Sequence, residues 1–307
     1  MALDIREASK LTKEEWREYT KTVWQIANVS HPAHPAVFPR EIPHRLTKLF
    51  SFVGETVLDP FAGVGTTAQA ATDLDRRAVS VDLNPSYADI VRESVPSSNS
   101  EVHTADARNL DFLDDDSIDL IITSPPYWNK ASYGSDDGNL GNVAGYTDFL
   151  REMREAFLEL RRVLRPGRKL CIVTANVNQH TNHGLLTFPI AADFTALLRE
   201  IGLVMVNELI WSKDKTGGRW GSANAQRPIF GSYPYPPNFL FKNVHEYILI
   251  FAKPAVKQST GPKVADYRWL MAETRAAEVP EADDNGRNGN GHNGNGHAGN
   301  GHNGSAV

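Results

Sequence analysis

Two hydrophobic periods alternate along this chain. Short apolar runs, "ETVLDP", "RAVSVDL", "EVHTAD", "IDLIITS", "RKLCIVTA", "LVMVNELIW" and "EYILIFAK", have the length and β-branched content of strands. Between them, residues 65–74, 85–94, 146–164 and 188–201 carry apolar side chains at helical spacing. The third of these places Phe149, Met153, Ala156, Phe157, Leu160, Val163 and Leu164 on one stripe and stops at "RPG". Strands alternating with helices predict an α/β fold, a mostly parallel sheet covered by helices on both faces. The last two strands lack a crossover helix between them, so one is expected to run antiparallel. Upstream, "TKEEWREYTKTVWQI" reads as a short helix whose Trp16, Tyr19 and Trp24 serve packing.

The pattern divides the chain into an N-terminal helical extension (1–30), a main α/β domain (31–255) and a C-terminal extension (256–307). From about residue 280 the composition collapses to Gly, Asn and His, too apolar-poor to offset ordering entropy, which predicts disorder. The histidines at 292, 297 and 302 read as incidental repeat, and no metal site is expected. The absence of a long apolar run argues against a membrane span, and the charged N-terminus against a secretory leader. Cys171, the single cysteine of the 307 residues, lies in an apolar run and reads as a buried structural thiol. A cytoplasmic protein is expected.

Net charge is −5, which opposes a protein-wide field for nucleic acid. The charge is uneven, however: residues 211–242 carry five basic residues against Asp214 alone. That stretch is a candidate basic patch, with Lys213, Lys215, Arg219 and Arg227 placed to meet phosphates.

Chemistry concentrates at strand ends. In "TVLDPFAGVGTTAQAA" a strand runs into a tight turn whose Gly63 and Gly65 supply unusual backbone angles, and then into a helix. Asp82 ends the next strand 19 residues after Gly63, the spacing at which an acid accepts ribose hydroxyls. Asp59, Asp82 and Asp106 therefore end three consecutive strands on one sheet edge. A dinucleotide fingerprint would place a third glycine where Ala68 stands, and Asp59 before the turn would repel a pyrophosphate. A cofactor carrying an ammonium and a sulfonium, such as S-adenosylmethionine, suits those carboxylates better.

The fourth strand ends in "TSPPYW". "VLDPFAGVGTT" together with "TSPPYW" resembles the amino-group DNA methyltransferases that modify cytosine N4 or adenine N6, and "HPAVFPREIPHRL", "RVLRPG" and "HEYILIFAKP" resemble further landmarks of that family. The resemblance covers residues 16 to 254 and implies a seven-stranded Rossmann-like sheet. It also implies that Asp59, Phe61, Ala62, Gly63, Gly65, Thr66, Thr67, Asp82 and Asp106 bind S-adenosylmethionine, with Phe38 and Pro39 capping it. Ser124, Pro125, Pro126 and Tyr127 become the catalytic segment; Trp128 reads equally as a pocket wall facing DNA or as core packing.

Direct transfer needs acceptors on the amine protons and a ring on which a displaced base can stack. Ser124, the Pro125 carbonyl and Tyr127 offer these groups. By the resemblance, serine in the first position implies cytosine N4 rather than adenine N6, although the same groups could also hold an adenine amine. RNA or protein-glutamine methylation and a catalytically dead DNA-binding module fit the motifs less well. Target recognition is expected within 129–146 and 212–243. Double-stranded DNA is the expected partner, through which the protein would associate with the nucleoid. A cognate restriction endonuclease or a solitary enzyme, monomeric or weakly dimeric, is compatible with the sequence.

Overall fold

The computed structural model describes residues 4–34, 36–130, 138–213 and 243–255. The elements in chain order are α1 (Ile5–Ala8), α2 (Lys13–Tyr19), β1 (Val23–Gln25), α3 (Glu41–Phe50), β2 (Thr56–Asp59) and α4 (Thr66–Thr72). There follow β3 (Arg77–Asp82), α5 (Pro85–Ser94), β4 (Ser100–Thr104), β5 (Ile118–Thr123), α6 (Tyr146–Val163) and β6 (Leu164–Thr174). The hairpin β7 (Val177–Thr181) and β8 (Gly184–Phe188), then α7 (Ile190–Glu200), β9 (Val204–Ser212) and β10 (His245–Ala252), complete the described chain.

Eight strands form one sheet in the order β1-β9-β10-β6-β5-β2-β3-β4. Neighbours pair in parallel except β10, which runs antiparallel to both β9 and β6. All seven expected strands are present, and the antiparallel one is the last.

Period-2 geometry sends successive strand residues to opposite faces. Leu58, Ile121, Leu170 and Ile172 pack with Phe149 and Phe157 of α6 and Phe194 of α7. Their neighbours Val57, Leu120, Ile122, Cys171 and Val173 pack on the other face with Ile42 and Leu46 of α3, Ala68 of α4 and Val91 of α5. A sheet buried on both faces reads as continuous apolar runs, as the sequence does here. Cys171 is wholly buried, and burial raises its thiol pKa.

One helix expectation is corrected. The "TKEEWREYTKTVWQI" helix, capped at its start by Thr12 and Glu15, stops at Tyr19. Val23–Gln25 becomes an eighth strand, with Trp24 set against Trp211 of β9 and 1% exposed. Three residues are too few to announce a strand; the decision rests on a tertiary partner 187 positions away. Also not anticipated are α1, α3, which starts beside Pro39, and the β7–β8 hairpin.

The strand order contains a topological switch. The chain passes from β2 outward to β3 and β4, then returns to place β5 on the other side of β2. The ends of β2 and β5 therefore open onto one crevice, where open α/β sheets take ligands.

Candidate active site

A cavity of about 310 Å³ lies over that crevice. The turn after β2 supplies Pro60, Phe61, Ala62, Gly63 and Val64, and the start of α4 supplies Thr66. Asp82 comes from the end of β3, Asp106 from the loop after β4, and Ser124, Pro126 and Tyr127 from the end of β5. His34, Ala36, Val37 and Phe38 approach from the opposite side.

Gly63 and Gly65 both have positive φ, +50° and +82°, in the region that disfavours a side chain. At Gly63 a Cβ would also come within 3.1 Å of His34 Nε2, so the glycine lets the His34 segment settle onto the turn. The Gly63 N–H donates to Asp82 Oδ2 at 2.7 Å, and the Asn84 N–H donates to Oδ1 at 2.9 Å. Two backbone donors thus hold the Asp82 carboxylate at the cavity floor. His34 leans on Tyr87, ring centroids 4.8 Å apart, and burial lowers its pKa.

Asp106 accepts from the Arg108 N–H at 2.9 Å and from Arg108 Nε at 3.0 Å. Burial pushes this carboxyl up and Arg108 pulls it down, with the net shift downward. Arg108 continues to Glu152 and to the Gly138 carbonyl.

At the β5 end, Ser124 Oγ lies 3.1 Å from Tyr127 Oη, which donates to Glu246 Oε2 at 2.9 Å. Glu246, near the start of β10, also receives the Lys213 ammonium, whose Nζ sits 4.2 Å from the Trp211 ring centroid. A polar relay therefore runs from Ser124 through Tyr127 and Glu246 to Lys213.

Several expected contacts are corrected. Asp59 does not face the cavity: 2% exposed, it accepts from Thr67 Oγ1 and Thr123 Oγ1 at 2.7 Å each and from the Phe61 N–H at 3.1 Å. It clasps β2, β5 and α4 together. Burial pushes its pKa up to about 6, against the hydrogen bonds from Thr67, Thr123 and Phe61. Thr67 is spent on this clasp, and Gly65 turns toward Val91 rather than the cavity. Pro39 leads into α3, its carbonyl accepting from Ile42, and Pro125 is buried; neither lines the cavity.

Trp128 is buried too, 7% exposed, with its indole N–H on the Val143 carbonyl at 2.8 Å and its ring against Tyr146 and Phe188. Lys213 is 3% exposed and ion-paired, so its part in a phosphate-facing patch is withdrawn. Lys215, Arg219 and Arg227 lie outside the described residues.

Sequence reasoning missed His34, Tyr87, Trp211 and Glu246 as individual cavity residues. His34 and Glu246 sit in or beside stretches already singled out, "HPAVFPREIPHRL" and "HEYILIFAKP", but nothing local said which side chain faces inward. Among the described residues no cluster of three or more His, Cys, Asp or Glu is arranged to hold a metal, and no helix is long and apolar enough to cross a membrane.

Among known proteins, Type II methyltransferase M.MjaI of Methanocaldococcus jannaschii is 41% identical over 96 residues, 30% of this chain and 32% of that protein. Type II methyltransferase M.BglI of Bacillus subtilis is 38% identical over 93 residues, 30% of this chain and 27% of that protein. The chain thus covers about a third or less of these relatives' length. A Thermus thermophilus protein solved in complex with S-adenosyl-L-methionine is 31% identical, covering 51% of this chain and 56% of that one at a TM-score of 0.37. The family model described as DNA methylase matches residues 2–93 and 118–296, most of the sequence, and this chain belongs to that N6/N4 DNA methylase family.

Proposed function

We propose that this protein is a site-specific DNA methyltransferase that transfers a methyl group from S-adenosylmethionine to the exocyclic N4 amine of cytosine. The observation that carries this reading is convergence: the glycine turn with Asp82 and the Ser124–Tyr127 segment open onto one cavity at the topological switch point.

The residues fit that cofactor. Asp82 offers a carboxylate for ribose hydroxyls, held in place by two N–H donors. Asp106 and Glu246 also line the cavity, each held by a cationic neighbour, Arg108 and Lys213 respectively. When bound, S-adenosylmethionine supplies an electrophilic methyl on its sulfonium.

The chain's own part is positioning. A cytosine amine is a weak nucleophile because its lone pair is delocalised into the ring. Ser124 Oγ, which lines the cavity, would accept one of its protons and favour a localised lone pair aimed at the methyl. Tyr127, anchored through its hydroxyl to Glu246, would present its ring to the extruded base. No strong base is required before transfer, because the amine becomes cationic and then releases its proton. Ser124 at the first position supports N4 of cytosine; N6 of adenine is the second reading, since the same hydroxyl could hold an adenine amine.

The test incubates the full chain with labelled S-adenosylmethionine and DNA of mixed sequence, then digests the DNA and identifies the labelled nucleoside. N4-methylcytosine is expected. Label only in N6-methyladenine would replace the base assignment, and unlabelled DNA would overturn the activity.

A further inference from the structure

The β7–β8 hairpin belongs to neither the main sheet nor the helical layers. Its five residue pairs run from Val177↔Phe188 to Thr181↔Gly184 and form a separate two-stranded ribbon. A lone hairpin is marginally stable in water, so its anchoring matters. Val177 is 1% exposed, and Phe188 packs at a tilt against Trp128 and edge-on against Tyr146, with centroids 4.8 Å from each. Higher up, Gln179 donates to the Asn129 side chain, two residues beyond Tyr127. The ribbon is thereby fastened to the catalytic segment at two levels. Its approach from β6 (Ala175, Asn176) and its first residue, Val177, line the cavity itself.

Side-chain alternation assigns its faces. Val177 and Gln179, with Phe188 opposite, turn toward the body of the protein. Asn178 and His180 point the other way, and Asn178 Oδ1 accepts from Thr187 Oγ1 at 2.9 Å across that face. His180, Asn182, His183 and Thr187 are exposed. From 175 to 189 the sequence "ANVNQHTNHGLLTFP" contains no carboxylate and no Lys or Arg, in a chain of net charge −5. It is rich instead in amide, imidazole and hydroxyl groups. Those groups hydrogen-bond base edges, asparagine and glutamine pairing bidentately with adenine, and an uncharged surface neither repels nor grips phosphates. A two-stranded ribbon also has the width of a B-DNA major groove.

We infer that the β7–β8 hairpin is a groove-reading element, whose His180, Asn182 and His183 contact base edges beside the base held at Ser124–Tyr127. Recognition thus extends to a segment outside 129–146 and 212–243. The inference rests on DNA being the substrate, and its test separates the two.

The wild-type chain is first allowed to methylate a duplex library with randomised positions, which yields its preferred sequence. His180→Ala and the pair Asn182→Ala/His183→Ala are then run on the same library, alongside calorimetric titration of S-adenosylmethionine. Cofactor affinity should stay within twofold of wild type, reporting an intact cavity. Discrimination at one or two positions flanking the methylated base should fall by roughly 5- to 150-fold, the range for losing a good base-edge contact. The salt slope of DNA binding should not change, because no phosphate contact is removed. Unaltered sequence preference in both variants would overturn the hairpin assignment while leaving the methyltransferase reading intact. Failure of the wild type to methylate any library member would overturn both. A uniform loss across all sequences with a shallower salt slope would assign the ribbon to phosphate binding instead.

Discussion

The pair formed by Lys213 and Glu246 is the most consequential arrangement that the sequence did not announce. Its side chains are 4% and 12% exposed, and Glu246 also holds Tyr127 Oη. Breaking one partner of a buried ion pair typically costs about 3–5 kcal/mol, because the remaining charge stays desolvated. In Glu246→Gln the Lys213 ammonium would lose the carboxylate but keep the Trp211 ring, a contact worth about 2 kcal/mol when desolvated. A net loss of about 1–3 kcal/mol is expected. Lys213→Met should cost about 2 kcal/mol, since Glu246 is the more exposed partner and retains the Tyr127 hydroxyl. The double variant removes both charges, and its glutamine can still accept from Tyr127. Replacing a buried pair by neutral groups of similar shape is often close to neutral, so a cost below about 1.5 kcal/mol follows. Urea titration of the four proteins, with linear extrapolation, measures the coupling directly. If the two single costs sum to the double's within about 0.5 kcal/mol, the pair is energetically uncoupled and the reasoning fails.

Asp59 should leave a signature in pH dependence. Its folded value of about 6 lies above the ordinary 3.8, so between those values the folded state holds a proton that the unfolded state has lost. Its contribution to stability is therefore greatest at low pH and declines as pH rises through 6, by on the order of 3 kcal/mol. The stability of Asp59→Asn relative to wild type should climb by that order between about pH 4 and 7 in parallel urea titrations; a pH-independent difference would refute the assignment. Gly63→Ala must hold a φ of +50° and press on His34, at a cost of about 1–2 kcal/mol. It should also weaken S-adenosylmethionine about tenfold by calorimetry, and unchanged affinity would remove the turn from the cofactor cradle. Trp128→Phe deletes the donor to the Val143 carbonyl and should destabilise by about 1–3 kcal/mol without altering the salt slope of DNA binding. A changed slope would return Trp128 to the DNA-facing surface.

Much of the fold was legible because strands buried on both faces and helices with one apolar stripe carry strong periodic signals. The seven strands, the four helices among them and an antiparallel member of the last strand pair all follow from local pattern and from the missing crossover. Motif spacing likewise located Gly63, Asp82 and Ser124–Tyr127, since turn chemistry and strand ends are local properties. What a residue faces is not local. Asp59 and Asp82 end adjacent strands and look equivalent in sequence, yet Asp59 points at Thr67 and Thr123 and is sealed, while Asp82 opens to the cavity. Lys213 looked like one member of a basic run, but antiparallel pairing of β9 with β10 sets it beside Glu246, 33 residues away. Trp24 and Trp128 were drawn into the sheet and the core by partners far along the chain. The sequence by itself determined seven of the strands and where the chemistry clusters. Only the tertiary structure decided which of those polar groups are spent on holding the fold and which remain turned toward a ligand, because that choice depends on contacts between segments that no local pattern records.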